Sequence, residues 1–456
     1  MGTLETELKT FQARTPKSKA AHQRALPHQP LGLASNFRYY EPYPIFVAEG
    51  QGARLRDLDG NDYLDFNLCF GALLAGHCHP AVQRAIEGRL RTGTMFGMPH
   101  ELEAELAEEL CRRFPMEQVR FGNSGTEVTM HALRLARGFT GRDKIIKVEG
   151  SYHGVHDPVL VSVKPAREKA GDPQMPTPVP GSKGVPVSAM ADTLVVPFNN
   201  LAALEQKFEQ YRGQVAAVIA EAVMMNVGIC MPDEGYLQNL ARLCAANGAL
   251  FILDEVKTGV KMAWGGACEY FGLKPDLVCL AKSIGGGTPL AAFGGRKDVM
   301  QAIADGRVFH AGTYNTNPLV MAAGLATLRE VLTKDVYPRI AKMNQRLLDG
   351  YTAQLKQTGL EGYLIGAGAN GALIFAPRVI RNYRDWQEVD QPLWKHYWFG
   401  MVNRGVLAQP YWWDEQWTVS VAHTDADLER HLAAFAELAP DLAAAQKEAK
   451  AAPLRT

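Results

Sequence analysis

ALFILDEVKTGV, residues 249–260, is an apolar run that closes on two carboxylates, Asp254 and Glu255. Continuous hydrophobicity without polar alternation describes a strand buried on both faces, and such strands build mainly parallel sheets covered by helices. The pattern recurs in KIIKVE (144–149), VAAVIAE (215–221), LVCLA (277–281) and AAFGG (291–295). Amphipathic stretches separate these runs, and YLQNLARLCAANG ends on Gly248, where a helix C-cap belongs. Strands alternating with helices predict an α/β domain over residues 76–325, with ligands held beyond the carboxyl ends of the strands.

The flanks read differently. Residues 1–30 are polar and carry Pro16, Pro27 and Pro30, which predicts an extended or partly helical arm. IFVAEGQGARLRDLDGNDYLDF (45–66) alternates around Asp59–Gly60 and predicts a hairpin. A helical run after about residue 325 leads into a second region. Residues 31–75 and 326–440 are therefore expected to lie outside that domain, the latter as a smaller α+β region followed by an Ala/Lys-rich tail at 441–456 that frays. The segment 164–188 carries six prolines and no periodicity, the mark of a lid loop or a disordered insert.

Forty-eight basic residues balance 48 acidic ones, so no excess field draws nucleic acid or anionic lipid. The expected partners are small molecules and other copies of the chain. Seven scattered cysteines without a C-x-x-C read as reduced thiols of a cytoplasmic protein. No apolar run approaches the roughly 20 residues of a membrane span, and the first residues lack the apolar centre of a signal peptide. His77, Cys78 and His79 lack a second ligand pair at metal-binding spacing, so no metal site is predicted.

Four features stand at strand ends. In FGNSGTEV, Asn123–Thr126 feeds a helix whose free N–H groups, with the Ser124 and Thr126 hydroxyls, suit an anion; Ser and Thr there also serve as plain N-caps. Asp254 suits a metal, a base, a protonated ring nitrogen or a cap. Tyr152 and His153 in EGSYHGVHD are placed to stack on or bond a planar ligand, although a hydrophilic turn has the same composition. Lys282 in LAKSIGGG directly follows a buried strand, where desolvation exposes an amine lone pair; a surface lysine capping a strand reads the same way. The glycines after it would let backbone approach a bulky cofactor. An amine for an imine, an anion site, a carboxylate for a ring nitrogen and an aromatic face together make the inventory of pyridoxal phosphate chemistry.

GNSGTE, SYHG, DEV, AKSIGGG and AGTYNTNP (311–318), in this order, resemble the class III pyridoxal-phosphate aminotransferases of fold type I. The resemblance spans about residues 33–436. Within the class, GTMFGMPHELEAELAEEL and SVAHTDADLERHL are most similar to the glutamate-1-semialdehyde 2,1-aminomutases. The resemblance implies a large, mainly parallel seven-stranded-type sheet domain and a smaller α+β domain built from both chain ends. It implies Lys282 as the imine-forming lysine, Asp254 as partner of the pyridine nitrogen, Tyr152 beside the ring and Val256 on its other face. His153 and Glu221 lie near the cofactor on this reading. Ser124, Gly125 and Thr126 take the phosphate, and Thr313 comes from the neighbouring subunit of a homodimer with shared sites. Ser35 and Arg38 match a segment whose arginine meets the substrate carboxylate, and Glu415 falls at an acidic position before SVAHT.

Two departures concern the substrate. QPYWWDEQW replaces small residues around Glu415, so Tyr411, Trp412, Trp413 and Trp417 either line a pocket for a larger or aromatic substrate or pack as a rim. The proline-rich 164–188 segment stands where the aminomutases have a Gly/Ser-rich gating loop that retains the intermediate. Three functions follow as expectations: an aminotransferase between an amino acid or related amine and a keto acid or aldehyde, an aminomutase giving 5-aminolevulinate, or a silent cofactor-binding protein.

Overall fold

Each of the five apolar runs is a strand of one seven-stranded sheet in the computed structural model, which describes residues 2–451. In chain order the strands are β1 (Gln118–Gly122), β2 (Lys144–Val148), β3 (Thr193–Val196), β4 (Val215–Glu221), β5 (Leu250–Asp254), β6 (Leu277–Leu280) and β7 (Ala291–Gly295). Across the sheet they run β1-β7-β6-β5-β4-β2-β3. All neighbours from β6 to β3 pair in parallel, and β7 is antiparallel to both β1 and β6. Every residue of β4, β5 and β6 is buried, which is why their sequences show no alternation. The helix Gly125–Thr140 contributes Val128, Ala132, Leu135 and Ala136 to a core shared with Ile252, Cys279 and Phe293.

The sheet belongs to the larger of two units, Pro80–Tyr337 with Ile380–Gln387. The smaller unit comprises the described parts of 1–79, 338–379 and 388–456. The boundaries thus fall at 79/80 and 337/338, where the sequence suggested 75/76 and 325/326. The expected arm is two helices, Leu4–Arg14 and Pro16–Ala25, integrated into the smaller unit. Thr3 caps the first, and buried Phe11 meets the Phe399 ring edge-on at 5.2 Å.

The tail departs from expectation. A helix runs over Asp425–Ala451, so residues 441–451 do not fray; 452–456 lie outside the described residues. Ala, Gln, Glu and Lys are strong helix formers. In addition, the Gln446 amide brackets Glu361, accepting from its N–H at 2.8 Å and donating to its carbonyl at 3.0 Å. The expected single hairpin at 45–66 is two: Val47–Gln51, Arg54–Asp57 and Asp62–Asp65 form a meander. Asp57 closes its second turn by accepting from the Asp59 and Asn61 amides at 2.9 and 2.8 Å.

The 164–188 segment is not a disordered insert. Ser162 N–H donates to Val179 O at 2.6 Å and Gly181 N–H to Leu160 O at 2.8 Å, closing its base. The Tyr383 hydroxyl holds Pro165 O at 3.0 Å, and Arg384 holds Ala170 O at 2.9 Å.

In the smaller unit Trp417 is core, the packing role that was one of the two expected for it. Its Nε1 donates to Asn344 Oδ1 at 2.7 Å, and a Cβ added to Gly371 would lie 2.3 Å from the indole. Gly371→Ala is predicted to cost about 1–3 kcal/mol through overpacking. Urea unfolding checks this, and an unchanged midpoint contradicts the packing.

Two buried histidines of the same unit give it a pH dependence. His423 stacks on Phe66 at 4.0 Å, and His431 bonds Tyr351 Oη through Nε2 at 2.7 Å. Burial lowers their pKa values to about 4 and about 3. The unfolded chain takes up these protons below about pH 6.5 while the folded chain does not. Stability is therefore full above 6.5 and falls as pH drops toward 4. The expected loss by pH 5 is about 2 kcal/mol for each histidine, read by denaturant unfolding at pH 8 and pH 5. Equal stability at the two values would contradict it.

Candidate active site

The carboxyl ends of β4, β5 and β6 lie side by side. Glu221 pairs in register with Asp254, and Asp254 with Cys279, so three adjacent strands deliver Glu221, Asp254 and, just past Ala281, Lys282 to one edge. Asp254 is buried at 3% exposure. Its Oδ2 lies 2.7 Å from His153 Nδ1, which fixes the imidazole proton on Nδ1, and its Oδ1 accepts from Val256 N–H at 2.9 Å. His153 Nε2 is buried without a hydrogen-bond partner among the described residues.

Glu221 is tied to the loop after β2 and to the segment after its own strand, not to Asp254. It accepts from Tyr152 N–H at 3.4 Å, Met225 N–H at 3.1 Å and the Asn226 amide at 3.3 Å. Burial raises its pKa, with the Asp254 charge adding to the shift, so Glu221 is pushed toward its neutral form. Burial, followed by Asp254, pushes the Tyr152 phenol up to about 12, and it stays protonated at neutral pH.

Lys282 is half-buried and has φ 53°, a conformation that costs a non-glycine residue energy and is concentrated at functional sites. It opens a short helical turn, Lys282–Gly285. Two of the glycines that follow, Gly285 and Gly286, are packed closely by protein. A Cβ on Gly286 would lie 2.2 Å from Thr327 Oγ1, and one on Gly285 would lie 3.1 Å from Leu290 Cβ.

Ser124 is the N-cap of Gly125–Thr140, its hydroxyl accepting from Glu127 N–H at 3.3 Å, while the Glu127 carboxylate folds back onto Asn123 N–H at 2.5 Å. The Gly125 and Thr126 N–H groups have no acceptor among the described residues and suit an anion. A Cβ on Gly125 would approach Val256 to 3.1 Å, and one on Gly154 would meet Thr126 Oγ1 at 2.6 Å. The helix start, Val256 beside Asp254, and the Tyr152–Gly154 loop are thus in mutual contact. Thr129 Oγ1 secures that loop at His153 O, 2.6 Å away.

Thr313 is not part of this group: it is exposed on the turn before the helix Pro318–Ala326. The other substrate candidates belong to the smaller unit. Ser35 precedes a turn over Asn36–Arg38, and exposed Arg38 has no carboxylate partner among the described residues. Trp412 Nε1 donates to Phe37 O at 3.4 Å and stands 5.5 Å from Trp413, so this turn and the 411–413 turn are joined. Phe70 lies 6.0 Å from Phe37 on a left-handed turn in which Leu68, Cys69 and Phe70 all have positive φ, for which the sequence gives no glycine or asparagine signal. Glu415 is buried, accepting from Gln416 Nε2 at 3.2 Å.

This donor set fits pyridoxal 5′-phosphate: an amide and hydroxyl cradle for the phosphate, a buried carboxylate for the ring nitrogen and an amine on the neighbouring strand. Among the described residues no cluster of metal-ligating side chains is present, and no helix is long and apolar enough to cross a membrane.

Comparison with known proteins agrees with that chemistry. The sequence profile of the class-III aminotransferases matches residues 36–393. A glutamate-1-semialdehyde 2,1-aminomutase of Desulfitobacterium hafniense is 42% identical over 418 residues, covering 91% of this chain and 95% of the relative. An omega-transaminase from Sphaerobacter thermophilus is similar in structure with a TM-score of 0.89 at 33% identity, covering 94% of this chain and 98% of the other. A variant glutamate-1-semialdehyde-aminomutase from Pseudomonas aeruginosa PAO1, in complex with PMP, gives 0.87 at 30%, covering 96% and 97%.

Proposed function

The chain belongs to the class III aminotransferases, enzymes of pyridoxal 5′-phosphate, and from that premise we propose that it is an intermolecular transaminase. It takes an amino group from an amino acid or related amine and passes it to a keto acid or aldehyde that arrives as a second molecule. The bound cofactor supplies an aldehyde for the amine and a ring that takes up the electron pair left when the substrate C–H bond breaks. Lys282 Nζ holds the cofactor between turnovers and, once released, carries the proton away from the substrate carbon. Asp254 keeps a proton on the ring nitrogen. The Gly125 and Thr126 amides and the Ser124 and Thr126 hydroxyls hold the phosphate, Tyr152 and Val256 bracket the ring, and Thr313 completes the site of a partner in a homodimer.

The observation that carries the intermolecular reading is the 164–188 segment. An internal exchange needs the half-reacted molecule retained, and here the gating loop is replaced by a proline-rich segment bonded at both its base and its middle. The aminomutase is the second reading, supported by the 42% identity with the D. hafniense enzyme. The two separate when protein carrying the aminated cofactor is given glutamate 1-semialdehyde alone. Formation of 5-aminolevulinate supports the mutase; its absence, with a panel of amino donors converting pyruvate or 2-oxoglutarate, supports the transaminase.

Arg38 is the proposed carboxylate clamp, with Ser35, Trp413 and Glu415 around the substrate. Arg38→Ala is predicted to lower kcat/KM for carboxylated donors about 100-fold while simple amines change little, because a bidentate, charge-assisted pair is lost. Equal losses for both donor classes would remove Arg38 from the substrate site.

A further inference from the structure

At the end of strand β2 and in the turn just past it stand three polar side chains, Lys147, Glu149 and Ser151, all essentially sealed from solvent. They precede Tyr152 and His153. Lys147 Nζ donates to three carbonyls, Val161 O at 2.7 Å, Ser151 O at 3.1 Å and Val148 O at 3.2 Å. One ammonium thereby closes both ends of the 148–161 loop. Ser151 Oγ adds a bond to Val148 O at 2.6 Å.

Glu149 is gripped from a remote part of the chain. Arg384, in the excursion Ile380–Gln387 that belongs to the larger unit, forms a bidentate pair with it, Nε and Nη2 each 2.8 Å from a carboxylate oxygen. Tyr383 beside it fills the space over Gly150: a Cβ there would lie 2.5 Å from the ring, and the residue has φ 81°. Arg381 forms an ion pair with Asp233, and Asn199 donates to Arg381 O at 3.0 Å, so the excursion is itself anchored. With Glu221, four buried ionisable side chains stand in one neighbourhood, each at most 8% exposed. Burial lowers the Lys147 pKa to about 7, with Glu221 and Glu149 opposing the shift. Charges this deep persist only where geometry satisfies them, and what they secure is conformation more than stability.

We propose that Lys147 and the Arg384–Glu149 pair are positioning residues for the cofactor site, fixing the backbone of the 149–162 loop so that His153 stays on Asp254 and Tyr152 stays on Glu221. This rests on the transaminase-family reading of the site. Among the described residues, none of the three side chains hydrogen-bonds to a residue assigned to the cofactor; they act through the loop.

The test replaces the pair by apolar residues of similar size, Glu149→Met with Arg384→Met, an exchange that is often neutral for stability. The double variant is expected to melt close to wild type without cofactor, to release pyridoxal 5′-phosphate about tenfold faster on dilution, and to shift the pH at which the bound-cofactor absorbance titrates. Unchanged release and an unchanged titration in a folded double variant overturn the proposal. So does a lowered melting point with neither spectral nor release change, since that is a purely structural role. If the double variant does not fold, Arg384→Lys, which keeps the charge and loses the bidentate fork, is expected to release cofactor faster, and wild-type behaviour overturns the proposal. Wild-type protein that binds no pyridoxal 5′-phosphate would instead refute the functional reading beneath it.

Discussion

Lys282→Ala is expected to leave a folded protein that has lost amino transfer by about four orders of magnitude, the combined effect of removing a nucleophile and a general base in one side chain. The fold should survive. Lys282 is half-buried at the start of a turn, and the packing there is made by Ser283, Ile284, Gly285 and Gly286. The substitution also relieves nothing in the backbone, because alanine at φ 53° carries the same cost as lysine. Single-turnover rates with a good donor measure the loss, and the visible absorbance of bound cofactor shows whether the site still fills. A variant retaining a tenth of wild-type activity would show that another amine does this work. Of the other buried amines in this region, Lys147 is committed to three carbonyls and Lys257 donates to Met225 O at 2.9 Å.

Asp254→Asn is expected to reduce kcat/KM by two to three orders of magnitude without emptying the site. Asparagine keeps the shape and can still accept from Val256 N–H, as Oδ1 does at 2.9 Å. On the proposed function it removes the negative charge that would hold a proton on the ring nitrogen, and with it the driving force for the ring to accept electrons. Glu221 cannot replace it: burial pushes that carboxyl toward its neutral form, and its oxygens already accept from Tyr152, Met225 and Asn226. The Asn amide also faces His153 Nδ1 at a distance set for a carboxylate, 2.7 Å, so one N–H must turn or stay unpaired. Steady-state rates on a carboxylated donor check this, and a loss smaller than tenfold would detach Asp254 from the chemistry.

The central sheet was legible because burial on both faces leaves a simple mark, and the runs at 144, 215, 250, 277 and 291 carry it. The two strands that escaped, β1 and β3, are the sheet's edges. QVRFG alternates over too few residues, and TLVV is only four residues long. The places of Lys282, Asp254 and the 123–126 turn beside strand or helix ends were legible because each directly follows an apolar run or opens a helical pattern. The close packing of Gly285 and Gly286 by Leu290 and Thr327 was not legible, since nothing in a glycine says what fills the space it leaves. The tail at 441–451 was misjudged because its anchor, Glu361, is remote in sequence. Arg384 was invisible for the same reason: its partner Glu149 lies 235 residues away.

The central claim is that nitrogen passes between two molecules at this site. Incubating the protein with a 15N-labelled amino acid and an unlabelled 2-oxoglutarate or pyruvate, and following the label by mass spectrometry, measures it directly. The predicted result is 15N in the new amino acid and a labelled donor converted to its keto acid. No label transfer from any donor, with glutamate 1-semialdehyde alone giving 5-aminolevulinate, would contradict it.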